Sequence, residues 1–377
     1  MTAHDRSGGV RRVLALSPIP EEGAGCRFRI AQFIPYLESV GYEVTVSPLF
    51  TPEFFRLVYH AGHYLKKIAA FLGLSLGRLQ SLRGLSQYDL IFLYREAFPI
   101  GPPLIERWLA APGKPPIVYD FDDAVFLPNV SDANRFIVSL KWASKVPEIV
   151  RLSARVIAGN DFLAGFARTH NPSVVKIPTC VDTDKFVPRV DPGAATPPVV
   201  GWIGSPTTAP YLKLLASVFR NVHARTPFHM KVSGAASDVA FDGVHVANEP
   251  WSLAEEVSLF NTCDVGVYPL TDDEWSKGKC GFKAIQFMSC GVPVVASAVG
   301  VNREIIEDGV NGFLAATAGE WETKLRRLLT DASLRARFAE AGRRTVEERY
   351  SLRVCAPKVA AVLDDALATR RPSRSPS

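Results

Sequence analysis

No stretch of this chain reaches the ~18 uninterrupted apolar residues of a membrane span, so no transmembrane segment is expected. The polar opening, Met1 to Arg12, lacks the apolar core of a secretory signal, and a cytoplasmic location is the expectation that follows. The six cysteines, Cys26, Cys180, Cys263, Cys280, Cys290 and Cys355, show neither pair spacing nor zinc spacing. That excludes a disulfide framework; beside apolar neighbours they read as reduced, buried thiols. No Gly-x-Gly-x-x-Gly follows a candidate strand, which disfavours a nicotinamide dehydrogenase. Charge of one sign is also scarce. The net charge of +5 permits anionic ligands, but with no aromatic-basic repeat it does not point to nucleic acid.

What is present is a globular composition, 47% hydrophobic and 21% charged over 377 residues, enough for two domains of ~150–190 residues. Val10–Ser17 is an apolar run followed by a glycine-bearing turn. Arg27–Val40 has helical periodicity with Pro35 as an expected kink, and Tyr42–Pro48 is again extended. Strand candidates follow at 90–94, 117–119, 156–158 and 174–177. Val187–Pro198, with four prolines, reads as a linker. The pattern restarts at Val199–Ile203, with later strands near 230–233, 244–246, 264–268 and 292–296. Two such series predict an α/β protein of two Rossmann-like, doubly wound parallel-sheet domains facing a cleft. The expected partition is 1–186, a linker 187–198, a second domain 199–345, a helix 346–368 packing back on the first domain, and a disordered basic tail 369–377. Within the first domain, residues 51–83 form a basic, amphipathic insertion with no acid after Glu53. It fits a membrane-surface contact through Arg56–Arg83; the alternative, which a single sequence favours, is an edge helix packed on its own domain.

The stretch Lys277-Gly-Lys-Cys-Gly-Phe-Lys-Ala-Ile-Gln-Phe-Met-Ser-Cys-Gly-Val-Pro-Val-Val-Ala296 reads as a loop, a short helix, a stop at Gly291 and a buried strand. Lys279, Lys283 and Gln286 fall in one helical sector. Two lysines at a first helical turn make a phosphate site; the alternative is a solvated lysine face.

Several segments in order resemble the retaining GT-B glycosyltransferases of glycosyltransferase family 4, also called group 1. They are Ile177-Pro-Thr-Cys-Val-Asp-Thr-Asp-Lys-Phe186, Asp264-Val-Gly-Val-Tyr-Pro-Leu270, Gly291-Val-Pro-Val-Val295 and Glu304-Ile-Ile-Glu-Asp-Gly-Val-Asn-Gly-Phe-Leu314. The resemblance is densest from Val199 to Leu314. It implies a GT-B fold with a hinge near Thr179–Asp184. The implied enzyme moves a sugar, with retention and without a metal, from a UDP- or GDP-linked sugar to a saccharide or lipid-linked acceptor. The nucleotide sugar is then a co-substrate and no cofactor is implied; polysaccharide assembly at the inner face of a membrane would suit such an enzyme.

Carried over residue by residue, the family's two glutamates fall on Gly278 and Gln286. Gln286 then contacts ribose, Lys283 is the first diphosphate ligand and Lys279 the second. The turn after the first strand of the second domain reads Gly204-Ser-Pro-Thr-Thr208. Its Gly204 and Ser205 N–H groups and the Ser205, Thr207 and Thr208 hydroxyls form either a phosphate cradle or a simple helix cap. In the first domain the family's reaction-centre His falls on Asp122, within Asp120-Phe-Asp-Asp123. Asp122 is the candidate catalytic carboxylate, Asp120 and Asp123 candidate caps, and a magnesium cluster of the three is the disfavoured alternative. Arg27, Arg95, Glu96 and Asn160 are candidates for acceptor contact, against a structural ion-pair network. Gly278 in place of the usual acid leaves one rival open, a non-catalytic sugar-nucleotide-binding protein; a second, a GT-B-fold isomerase or epimerase, is disfavoured because the second domain offers no obvious paired acid/base His.

Overall fold

The computed structural model describes residues 9–60, 62–127, 142, 144–190, 196–235 and 237–369. The chain divides into two compact units, Met1–Ile177 with Ala356–Ser377, and Pro178–Cys355.

The first unit holds a six-stranded sheet of β1 (Arg11–Ser17), β2 (Tyr42–Pro48), β3 (Leu90–Tyr94), β4 (Ile117–Phe121), β5 (Arg155–Ala158) and β6 (Val174–Lys176). Its order is β2-β1-β3-β4-β5-β6, and every pairing is parallel. β3 and β4 are buried along their whole length, as strands covered on both faces should be. The second unit holds β7 (Val199–Ile203), β8 (His229–Ser233), β9 (Val246–Glu249), β10 (Val265–Tyr268), β11 (Val294–Ser297) and β12 (Phe313–Ala315). Here the order is β12-β11-β10-β7-β8-β9, again all parallel. Counted within its unit this is the 3-2-1-4-5-6 order of a doubly wound nucleotide-binding sheet. Such sheets bind ligands beyond the strand C-termini where the winding reverses. In the first unit that is between β1 and β3, and in the second between β7 and β10.

The periodic stretch 27–40 is not one helix. It splits into Ala24–Arg29, a 3-10 turn Ala31–Phe33 and Ile34–Ser39. The break falls at Ile30 rather than at Pro35, because Pro35 occupies the first turn of the second helix, where no N–H is needed. The extended stretch near 244–246 also shifts, to Val246–Glu249, with Val244 bridged to Phe241.

The division between units comes before Pro178 rather than after residue 186. The segment 178–186 is sewn into the second unit: Val181 bridges Ser351, and the Phe186 ring meets Phe260 at 6.1 Å. Arg343 donates to the carbonyls of Thr183, Ser289 and Phe186. Of the expected linker, residues 191–195 lie outside the described residues, as do 370–377 of the expected tail. The last helix, Leu352–Ala368, returns to the first unit from Ala356. Its Val359 and Leu363 line a small apolar space with Val13, Phe33 and Leu37, and Tyr42 donates to Asp364 at 2.6 Å. All six cysteines are buried, and burial pushes the Cys26 thiol up to about 11 and Cys263 and Cys290 to about 12.

Candidate functional site

In the first unit the chemistry gathers at the C-terminal ends of β3 and β4. Asp120, Asp122 and Asp123 do not converge on a common point. Asp120 is fully buried and takes a two-pronged ion pair from Arg29, at 2.8 and 2.5 Å. Asp122 accepts from the Tyr94 hydroxyl at 2.8 Å and from Arg95 Nη2 at 2.8 Å. The same Arg95 nitrogen reaches Asp123 at 2.7 Å. Asp120 and Asp123 are thus ion-pair partners, of Arg29 and Arg95 respectively. Among the described residues no group of three His, Cys, Asp or Glu side chains is placed to hold a metal ion.

Burial works to raise the Asp122 carboxyl, but Arg95, Arg29 and the Tyr94 hydroxyl hold it below its usual range. Burial, aided by Asp122, lifts the Tyr94 phenol well above its ordinary value despite Arg95, so it stays a donor. Asp122 is therefore an ionised carboxylate whose partners are all donors. Such a group suits charge stabilisation or orientation better than proton abstraction.

Two local features build this cluster. Arg95 sits in the left-handed region at φ 59°, a costly conformation that a non-glycine residue keeps only where surroundings enforce it. Gly25, in the first turn of helix Ala24–Arg29, lies so close that a Cβ there would be 2.1 Å from the Tyr94 hydroxyl. That helix and Asp122 thus belong to one packed unit at the β1/β3 reversal.

The other first-unit candidates are placed differently from expectation. Arg27 is buried and donates to the carbonyls of Glu21 and Glu22, holding the turn together. Asn160 is buried and caps helix Asp161–Arg168 through the Leu163 N–H. Glu96 is half-buried, and its charge acts on Tyr119 and Glu106.

In the second unit the candidates surround the C-terminal ends of β7 and β10. Lys283 stands in the first turn of helix Phe282–Ser289, which begins at Gly281 with φ 64°. A side chain at Gly281 would be strained, by the left-handed backbone and by a Cβ 2.2 Å from Ile305 Cδ1. Lys279 precedes that helix rather than sharing its first turn; its N–H bonds to Ser276 and its ammonium lies 5.4 Å from the Trp275 ring. Lys283 Nζ donates to Gln286 Oε1 at 2.7 Å, and Gln286 Nε2 reaches Glu256 Oε1 at 3.2 Å. Gln286 is fully buried, so in this structure its amide faces protein on both sides. The turn after β7 is likewise self-satisfied. The Gly204 N–H bonds to Ser233 O and the Ser205 N–H to Thr208 Oγ1, while Ser205 Oγ meets Thr207 Oγ1 at 2.9 Å. The backbone N–H groups expected to form a cradle at Gly204 and Ser205 are therefore taken up inside the protein, and Thr208, at the N-cap of the 3-10 helix Ala209–Leu215, makes no side-chain cap.

Sequence reasoning missed Glu256, Asn302 and Ser233. Glu256 is buried on the apolar face of helix Glu256–Asn261 beside Leu259 and Phe260. A carboxylate in an apolar register was the available signal. Asn302 Oδ1 and Ser233 Oγ are buried without a hydrogen-bond partner at the ends of β11 and β8. Arg78 was missed too: only 3% exposed, it donates to Ser17 O at 2.8 Å and leaves two nitrogens unpartnered, and burial lowers it to about 10.

With this geometry in place the chain can be set beside known proteins. Residues 197–331 match the family of glycosyl transferases group 1. The match takes in all six strands of the second unit and helix Ala318–Thr330. A curated relative, the D-inositol 3-phosphate glycosyltransferase of Stackebrandtia nassauensis, is 34% identical over 133 residues, covering 34% of this chain and 29% of that protein. The chain thus spans under a third of the length of the curated relative it matches. Sucrose-phosphate synthase from Thermosynechococcus elongatus superposes with a TM-score of 0.69 at 16% identity, over 95% of this chain and 99% of that one. HepE of Anabaena, solved with UDP-glucose, gives 0.65 at 17% over 94% and 99%. At such identities the likeness is one of fold. The fold is GT-B, two parallel-sheet α/β domains of six strands each.

Proposed function

We propose that the protein is a retaining glycosyltransferase that moves a sugar from a nucleotide diphosphate sugar, UDP- or GDP-linked, to a saccharide or lipid-linked acceptor. The observation that carries this reading is Lys283. It stands at the N-terminal turn of helix Phe282–Ser289, beside the β7/β10 reversal, within the segment that matches the group 1 family. A helix N-terminus and an ammonium together favour a diphosphate. In this reading Lys283 leaves Gln286 for the diphosphate, and the amide it uncovers takes the ribose hydroxyls. Lys279 and the Ser205, Thr207 and Thr208 hydroxyls complete the donor site. Lys279, Lys283 and the helix dipole then offset the leaving diphosphate's charge without a metal. The first unit orients the acceptor at its sheet end, where Asp122 steadies positive charge as the donor bond breaks.

The fold shared with a protein solved with UDP-glucose supports a nucleotide-sugar donor. Gly278 and Gln286, where the family has acids, and an Asp122 surrounded by donors favour one second reading, a protein that binds the donor without turning it over.

Thermal shift against UDP-, GDP-, ADP- and CDP-sugars, followed by turnover of the best binder, separates these readings. Transfer is expected, with Lys283→Ala lowering donor affinity at least tenfold, about 1.4 kcal/mol. Binding without turnover leaves the second reading. A Lys283→Ala variant with unchanged affinity would remove the phosphate assignment.

A further inference from the structure

Helix Tyr64–Ser81 turns its apolar side away from its own unit. Its inward line is fixed by contacts: the Phe71 ring meets Phe50 at 6.4 Å and Phe98 at 6.5 Å, and Arg78 is buried against Ser17. At ~100° per residue, Leu65, Ile68, Leu72, Leu76 and Leu79 share an arc of about 80°, centred roughly 110° round from that line. Their exposures are 85%, 56%, 60%, 62% and 45%. A surface helix ordinarily buries such a stripe and presents polar residues to water. Here five large apolar side chains in one row are left in solvent.

The sequence around the stripe carries charge of one sign. Between Glu53 and Asp89 it holds no acidic residue, while Arg56, Lys66, Lys67 and Arg83 fall there besides the buried Arg78. Phe98, touched by Phe71, leads into helix Leu104–Leu109, where Leu104 (60%) and Trp108 (42%) are exposed too. The Lys114 ammonium lies 4.3 Å from the Trp108 ring, an amphipathic pairing suited to a headgroup layer. No helix among the described residues is long and apolar enough to cross a membrane. A stripe of this width on an 18-residue helix suits lying in an interface instead.

We propose that this face docks on an anionic membrane surface, with the Leu65–Leu79 stripe in the acyl boundary and Lys66 and Arg83 at the headgroups. Charge complementarity chooses the occupant. A second copy would pair the patch with itself and bring basic side chains against basic ones. An anionic lipid surface supplies apolar depth and opposite charge together. The docking does not rest on the transfer reading, since vesicle binding is measured without turnover.

The test is co-sedimentation of the full chain with vesicles of phosphatidylcholine alone and of phosphatidylcholine with phosphatidylglycerol. Binding to the anionic vesicles is expected, weakening as salt rises. Leu72→Ser with Leu76→Ser should lower partitioning at least tenfold while circular dichroism and melting stay unchanged, because both residues are exposed. Lys66→Gln with Arg83→Gln should lower it by about fivefold per residue. Failure of the unaltered chain to sediment with either vesicle overturns the proposal, as does binding indifferent to the leucine pair. Binding indifferent to the basic pair overturns the anionic-lipid assignment. A concentration-dependent dimer that the leucine variants abolish, without vesicle binding, gives the face to a second copy.

Discussion

Asp120 and Asp122 are two residues apart on one strand end, yet their surroundings ask different things of them. The Arg29–Asp120 pair is dry on both sides, with side-chain exposures of 1% and 2%. Removing one partner strands a buried charge, at a cost of about 3–5 kcal/mol. Asp120→Ala is therefore expected to lower the melting temperature strongly. Asp122 faces Tyr94 and Arg95 at a partly open position, 16% exposed. Asp122→Asn keeps the shape, should leave the melting temperature within a few degrees, and should cut transfer by roughly 100-fold or more if its charge acts on the reaction. Equal effects on melting and turnover would make Asp122 structural. The pH dependence follows from direction. Arg95, Arg29 and Tyr94 outweigh burial and hold the folded carboxyl below its unfolded value of about 3.9. The stability it contributes is complete above that value and is lost as pH falls through the folded one. Between pH 5 and pH 3 the urea midpoint of the native chain should thus fall further than that of Asp122→Asn.

The helices and strands were largely legible because their signals are local. Unbroken apolar runs marked β3, β4, β7 and β10, and Gly291 marked the end of helix Phe282–Ser289. What was not legible depended on partners distant in sequence. Lys279 looked helical by spacing, but Gly281 starts the helix in a left-handed turn, and only packing against Ile305 reveals why. The cradle expected at Gly204 and Ser205 was closed by Ser233 and Thr208, and Arg27 was drawn into the turn that it was expected to overlook. Glu256 stood in an apolar register beside Leu259 and Phe260, but its place at the site depends on Gln286, 30 residues on in the chain. The segment 178–186 makes the same point, being held by Arg343, 157 residues from Phe186. Arg343→Met takes the guanidinium donor from the Thr183 and Ser289 carbonyls, at about 1–3 kcal/mol for each that stays buried, while Phe186 O keeps the Ser289 hydroxyl. A melting temperature lower by several degrees and faster proteolysis near Thr183 are expected. Arg343→Lys should not restore them, because an ammonium cannot replace the planar fork that spans Thr183 and Ser289.

Across the whole molecule, one helix is shared between the two units, and its sequence shows only an amphipathic pattern interrupted by Pro357. The first turn of Leu352–Ala368 is counted with the second unit, whereas Val359 and Leu363 line the apolar face of β1 and the helices after it. Two such side chains contribute roughly 1.5–3 kcal/mol each on burial, against about 0–1 for exposed ion pairs such as Arg11–Asp364 and Arg155–Asp365. Apolar contact therefore decides that the chain's end belongs to the first unit. Ending the chain at Cys355 would uncover Val13, Phe33 and Leu37 while leaving β7–β12 and their matched segment intact. Hydrogen exchange should then quicken at β1 and β2 and stay slow at β7 and β8. Equal loss of protection in both sheets would show instead that the second unit's stability depends on the first.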